Sequence, residues 1–393
     1  MPFALPRTVN PGEDTAAVLA FGKLSVLEAC TRLGESLLRA ESPCERVAVL
    51  RLRPSGDARL PELAGVHKYG PLMAESDGSG AGVGALAEAL APHFDKIRNV
   101  SLSGYDISNQ DYDSIVRLLL DGLKRSGFSK VHLLRPKGNE LLAAKVLSRE
   151  VLDILAFPYH GGIGLAPTAW VSDSAAFRER GVAKPAPRSE ISMSPRLAKI
   201  LLNLAGLQRG QTVLDPFCGS GTVLAEALLG SYHCIGFDSS AARVKDARKN
   251  LSWVTGGVKG AHYEVKVGDA RYLSRLLDRA KVDAVVTEPL LLPSFNARPR
   301  TQTAEELIGE NEQVYADALT SMAEVLAPGG RIVVVVPVVL TMEGEEVSIA
   351  LEGRPLGLKQ YQPGPVGFEY PVRPSFESTR WVRRAVYVFE SPY

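Results

Sequence analysis

The carboxyl-terminal half of this sequence predicts a doubly wound α/β fold with a mainly parallel, seven-stranded sheet, preceded by a separate α/β region. From Pro195 onward, short apolar runs alternate with helical patterns, as parallel strands require, because each return to the sheet crosses over through a helix. The chain has 393 residues, more than one hydrophobic core usually organises, so two or more domains are expected. Strand patterning between positions 358 and 389 predicts an antiparallel hairpin that closes the sheet.

The amino-terminal α/β region is expected over 1–171. The apolar run 16–21 reads as a strand, and Leu24, Val26, Leu27, Cys30 and Leu33 then follow helical spacing up to Gly34. Another strand is expected at 46–52, and the glycine-rich run 77–82 is expected as a loop. A denser stretch follows: strand 97–103, an amphipathic helix over 111–126 with Ile115, Leu118, Leu119 and Leu123 inward, and strands 131–134 and 151–156. Positions 172–194, with Arg178, Arg180, Lys184 and Arg188 among prolines and no periodicity, are expected to be a basic linker. The second domain, 195–393, predicts helices at 195–205, 222–229 and 241–253 and strands at 212–214, 234–237, 263–267, 284–287 and 331–336. The final stretch 381–389 alternates as a strand, with Arg383 and Arg384 read as a solvated face at the sheet edge and given no role.

Composition narrows the class of protein. With 45% hydrophobic and 23% charged residues the chain is an ordinary globular one. Its longest apolar run, 332–340, contains Pro337 and is far shorter than the roughly 20 residues that span a bilayer. The amino end lacks a basic region followed by an apolar run of secretory length, which predicts a cytoplasmic protein. The four cysteines, Cys30, Cys44, Cys218 and Cys234, show neither Cys-x-x-Cys pairing nor histidines at zinc-ligand spacing, so free thiols and no metal are expected. The net charge of +1 hides an uneven distribution: positions 151–300 hold 19 basic and 13 acidic side chains, positions 301–350 only 1 and 9. A local basic excess of this kind permits a polyanionic partner.

The residues that carry chemistry lie where strands end. The run Val213-Leu214-Asp215-Pro216-Phe217-Cys218-Gly219-Ser220-Gly221-Thr222 joins a buried strand to a helix through a turn with two glycines and an acid. Leu224 stands where a dinucleotide fingerprint needs its third glycine, and a Walker-type Gly-Lys-Thr is absent, so a pyrophosphate ligand is disfavoured. An acid there suits S-adenosylmethionine, which has a sulfonium, an α-amino group and a ribose but no phosphate. Asp238, 23 residues after Asp215, ends the next strand and suits a ribose diol. Asp269, with Ala270, follows the third strand and could accept from an adenine amino group. Each acid alone is more commonly a helix cap; three at successive strand ends point to a ligand. The fourth strand delivers Thr287-Glu288-Pro289-Leu290-Leu291 to the same edge, where a carboxylate beside a proline-stiffened carbonyl can accept from an exocyclic amine.

On these residues the sequence resembles the Rossmann-type, class I S-adenosylmethionine-dependent methyltransferases, specifically the tRNA guanine-N2 methyltransferases with an amino-terminal THUMP-like RNA-binding region. The match is closest over 172–340; Asp-Pro-Phe-Cys-Gly-Ser-Gly-Thr at 215–222 carries it, supported by 193–205. The weaker matches 17–34 and 97–156 resemble the branch's amino-terminal and THUMP-like parts. The resemblance implies that Asp215, Phe217, Gly219, Gly221 and Thr222 line the methionine portion of the cofactor, Asp238 its ribose, and Asp269 with Ala270 its adenine. It implies Glu288 and Pro289 as the catalytic pair, with Thr287, Leu290 and Phe295 toward the substrate, tRNA as partner, and it allows a small activating subunit. The sequence departs from the family's acidic-Pro-Pro-aromatic motif: Glu288-Pro289-Leu290-Leu291 has neither the second proline nor the aromatic, and Phe295 is the candidate replacement ring. Base stacking on such a ring is worth roughly 1 to 3 kcal/mol. The alternatives are a non-catalytic RNA-binding relative and a DNA amino-methyltransferase. Cys218, inside the cofactor turn, is read as a packing residue, because an exocyclic amine needs no thiolate addition.

Overall fold

The computed structural model describes residues 15–20, 23–33, 36–44, 46–52, 60, 63–76, 81–90, 99–127, 131–135, 146, 151–186, 193–256, 262–289, 292, 295–351, 357–363, 368–374 and 381–392. The chain divides into two compact units, Met1–Ser174 with Gly364–Val366, and Ala175–Pro363 with Gly367–Tyr393.

The first unit holds β1 (Thr15–Ala20), α1 (Lys23–Leu33), β2 (Leu37–Cys44), β3 (Val47–Leu52), β4 (Lys68–Pro71), β5 (Ala74–Ser76), α2 (Ala81–Leu90), β6 (Asn99–Gly104), α3 (Asn109–Arg125), β7 (His132–Leu133), β8 (Val151–Tyr159), β9 (Gly162–Pro167) and β10 (Trp170–Val171). Its strands make two five-stranded sheets, in the orders β10-β4-β1-β3-β2 and β5-β9-β8-β6-β7. In the second sheet β6 runs parallel to both β7 and β8 while β8 and β9 form an antiparallel hairpin. Helix α3 is strongly amphipathic and starts on Ser108, whose side chain accepts from the Asp111 amide. It buries Ile115, Leu119 and Leu123 with Val100 and Leu102 of β6 and Ile154 of β8. Leu118, expected inward, is exposed, since it lies off the stripe that Ile115, Leu119 and Leu123 form. The glycine-rich run expected as a loop contributes Ala81 and Gly82 to the start of α2, its first four residues lying outside the described set.

The second unit begins with α4 (Ser174–Val182), within the segment expected to be a basic linker. None of its residues is fully buried, so no apolar period announces it. Tertiary contacts hold it instead: Phe177 is flanked by the guanidinium groups of Arg180 and Arg196, 4.8 and 4.7 Å from its centroid.

Then α5 (Pro195–Leu204), β11 (Thr212–Asp215), α6 (Thr222–Leu229), β12 (His233–Asp238), α7 (Ala241–Val254), β13 (Tyr263–Val267), α8 (Leu273–Leu276), β14 (Val282–Thr287), α9 (Thr301–Val325), β15 (Leu326–Leu340), β16 (Glu346–Ser348), β17 (Lys359–Gln360) and β18 (Val382–Glu390) follow. The sheet runs β13-β12-β11-β14-β15-β18-β17, with β16 added beside β15. The five strands β13, β12, β11, β14 and β15 are parallel to one another. Strand β18 runs antiparallel against β15 and β17 against β18, the expected terminal closure. The described sheet has eight strands because of β16, one more than expected. Near-continuous burial along β14 and β15 fits strands covered on both faces. Parallel pairing sets the carboxyl ends of β11, β12, β13 and β14 on one edge, where open α/β sheets bind ligands. Strand β18 is an interior strand between β15 and β17, which corrects its reading as a solvated edge: Arg383 is exposed and Arg384 is buried.

Candidate active site

At that edge lies a cavity of about 450 Å³, within the usual range of small-molecule sites. Of the residues expected to hold a cofactor, Asp215, Phe217, Gly219, Thr222, Asp238, Asp269 and Ala270 line it, together with Glu288 and Pro289.

The cofactor side is made almost entirely of short-range bonds. Gly219 has φ of +52° and donates its amide to Asp238 Oδ2 at 3.0 Å, while Cys218 donates its amide to the Phe237 carbonyl at 2.8 Å. These bonds fold the turn onto the end of β12. Gly221, with φ of +84°, caps α6. It does not line the cavity, as was expected of it: a Cβ there would sit 3.3 Å from the Cβ of Ala247, so this glycine serves the packing of α6 on α7. Asp215 is buried and accepts from the Thr287 hydroxyl at 2.7 Å and from the Phe217 amide at 3.2 Å. Burial pushes its carboxyl up to about 7, and the charges of Asp238 and Glu288 add to the rise, against the lowering by its two donors. Asp238 accepts from the Gly219 amide at one oxygen and from the Ser240 amide at 2.9 Å at the other, with Arg243 Nη1 3.9 Å from Oδ2. Asp269 caps a short 3₁₀ turn and is held by Arg271 at 2.6 Å, whose hydrogen bonds keep the carboxyl below its ordinary value. Cap and cavity wall are thus the same residue.

The donor set fits S-adenosylmethionine. A buried carboxyl facing the turn suits a cationic methionine portion, Asp238 suits a diol, and Asp269 with Ala270 lines the same cavity.

The acceptor side is built from distant parts of the chain. Glu288 leaves the end of β14, and Arg384 of β18 meets it from 96 positions away: Nε donates to Oε1 at 2.6 Å and Nη2 to Oε2 at 3.3 Å. Thr287, expected toward the substrate, is fully buried and turned onto Asp215, since successive strand residues face opposite sides. Phe295 is half-buried and is not among the cavity-lining residues; Leu290 lies outside the described residues. Cys218 lines the cavity with a thiol that burial pushes far up, so it is no nucleophile.

Residues 183–345 match the model of the RMKL-like methyltransferase domain. This segment is similar to that methyltransferase family. Over 152 residues the chain is 38% identical to a tRNA (guanine(10)-N2)-dimethyltransferase of Methanothermobacter thermautotrophicus, covering 39% of this chain and 40% of that protein. It is 31% identical over 164 residues to a tRNA (guanine(6)-N2)-methyltransferase of Thermus thermophilus, covering 39% and 43%. The chain therefore spans well under half the length of these curated relatives. The crystal structure of TrmN from Thermus thermophilus aligns over 96% of this chain and 99% of its own, with a TM-score of 0.53 and 19% identity, which shows a shared fold. The matched segment contains every residue that lines the cavity, and Arg384, the partner of Glu288, lies beyond it.

Sequence reasoning missed Arg384, and also Met193, Arg243, Arg271 and Val314, which line the cavity. Arg271 had a signal in its spacing from Asp269. Arg384 had none, because its role depends on which strand pairs beside β15. Among the described residues no group of His, Cys, Asp and Glu is placed to hold a metal ion, and no helix is long and apolar enough to cross a membrane.

Proposed function

We propose that this protein methylates an exocyclic amine of RNA, guanine N2 of tRNA being the substrate that best fits the site, with S-adenosylmethionine as methyl donor. The observation that carries the reading is the placement of Glu288 and Pro289 on the wall of the cavity that Asp215, Asp238 and Asp269 share. Bound there, the cofactor supplies a methyl group on positively charged sulfur, displaced directly onto an amine nitrogen while the C–S electron pair stays on sulfur. Asp215, Phe217, Gly219 and Thr222 hold the methionine end, Asp238 the ribose, Asp269 and Ala270 the adenine. Glu288 accepts an N–H of the target amine and the Pro289 carbonyl stands beside it, which aims the nitrogen lone pair at the methyl carbon. The proton that the nitrogen sheds leaves to water. The negative charge of Glu288 stabilises the positive charge that grows on nitrogen.

The relatives named above, both tRNA guanine-N2 methyltransferases, support tRNA and guanine. The first unit, with its two α/β sheets, is proposed as the THUMP-like RNA-binding part over 1–171, the methyltransferase domain running over 195–393. Buried free thiols at Cys30, Cys218 and Cys234 support a cytoplasmic location. The test is mass spectrometry of nucleosides from unmodified tRNA incubated with protein and S-adenosylmethionine. N2-methylguanosine is expected; methylated adenine or cytosine in its place, or methylation confined to DNA, contradicts the substrate.

A further inference from the structure

Glu288 follows the end of β14 and Arg384 lies on β18, two strands separated by β15, and their side chains meet. Each is 9% exposed, so neither charge is freely hydrated. The two nitrogens of the guanidinium address the two carboxylate oxygens, an arrangement that fixes the plane of both groups and consumes one lone pair on each oxygen. Asp215 of β11 and Tyr315 of α9 also feel the Glu288 charge. Burial, and after it the charge on Glu288, pushes the Tyr315 hydroxyl up, so it stays neutral. Arg384 anchors the carboxylate through two hydrogen bonds and an ion pair. A glutamate has one more rotatable bond than the aspartate or asparagine usual at this position of the family pattern, and without an anchor its carboxylate would sample several rotamers.

We infer that Arg384 is a positioning residue for methyl transfer: its guanidinium holds the Glu288 carboxylate in one plane at the cavity wall, so that Glu288 orients the target N–H and does not take up its proton. The inference rests on the reading of Glu288 as the amine's acceptor. A carboxylate paired to a guanidinium is a weak base, and the lone pairs that face the guanidinium are no longer open to a proton. Arg384 is not among the residues that line the cavity, so its part is to position Glu288. Lysine cannot replace it fully, because an ammonium supplies charge without the planar fork.

The experiment is single-turnover methyl transfer to tRNA from pH 5 to 9 with wild type, Arg384→Met, Arg384→Lys, Glu288→Gln and the double variant Glu288→Gln/Arg384→Met, with calorimetric cofactor binding as the check on folding. Arg384→Met should lower the transfer rate about a hundredfold with the RNA concentration dependence changed by less than about threefold. Its acidic limb should move up by at least about one pH unit as Glu288 loses its cation. Arg384→Lys should restore about a tenth of the wild-type rate with the limb unmoved, and it carries the test if the methionine variant fails to bind cofactor. The double variant should be no slower than Arg384→Met, because both changes disable one unit. A wild-type rate and pH profile in Arg384→Met, or losses that multiply in the double variant, overturn the inference and leave the proposed reaction standing. A wild type that transfers no methyl group to any RNA overturns the reaction, and the inference with it.

Discussion

The two walls of the cavity are built on different plans. The cofactor wall is local: Gly219 bonds to Asp238, Asp238 to Ser240, Asp269 to Arg271, and the longest of these links spans 19 positions. The acceptor wall is not: Glu288 is anchored by Arg384 from 96 positions away, and Thr287 reaches across 72 positions to Asp215. A local wall is a property of a turn sequence, whereas a distant one is a property of the sheet order. The cofactor half should therefore tolerate changes elsewhere in the sheet, and the acceptor half should fail with them.

The largest expected effect among structural tests lies behind the cofactor turn, where the two plans meet. Arg180 of α4 forks onto the buried Glu226 of α6 at 2.6 and 3.1 Å. Arg180→Ala leaves that carboxylate buried and unpaired, so stability in urea should fall by about 3 kcal/mol, whereas the apolar pair Arg180→Met/Glu226→Met should recover most of it. Equal loss in both variants would show that α4 contributes through Phe177 and not through the ion pair.

Gly221→Ala comes next. It forces an alanine into a left-handed conformation and against Ala247, and should cost about 1 to 2 kcal/mol in chemical denaturation. Gly219, whose missing Cβ meets nothing closer than 4.0 Å, should cost less to replace in stability while weakening cofactor binding more. If both variants lose the same stability and affinity, the assignment of one glycine to packing and the other to the cavity is wrong.

A smaller effect tests the charge on Asp215. In the free protein its carboxyl stays protonated up to about pH 7, and a cationic methionine portion favours the ionised form, so binding should release a proton below that pH. Calorimetric affinity for S-adenosylmethionine should rise about tenfold per pH unit at most between pH 5.5 and 7 and level off above. An affinity flat across that range would place the cation away from Asp215. The smallest effect is expected at Cys218: replacement by alanine removes no reacting group, and the transfer rate should stay within about threefold of wild type.

The same contrast explains what could be read in the sequence. The strand-turn-helix around Asp215–Thr222 was legible because glycine spacing and an apolar run are local signals, and α6 and β13 lie where expected. Three of the four strand-end carboxylates combine cavity wall with local bonding, so counting caps alone would have dismissed Asp238 and Asp269. Helix α4 was illegible because it buries no residue fully and is held by arginines on Phe177. Arg384 was illegible because an alternating strand looks alike at an edge and in the interior; only the pairing of β18 between β15 and β17 buries that side chain beside Glu288.

The central claim is that the wall bearing Glu288 performs the transfer. It is tested most directly by tritium transfer from labelled S-adenosylmethionine into tRNA, ribosomal RNA and DNA, with wild type and Glu288→Gln side by side and cofactor affinity measured on both. Wild type should label tRNA in preference to DNA, and Glu288→Gln should label it about a hundredfold more slowly with cofactor affinity within about threefold. Equal rates for the two proteins, or label entering DNA alone, would contradict the account.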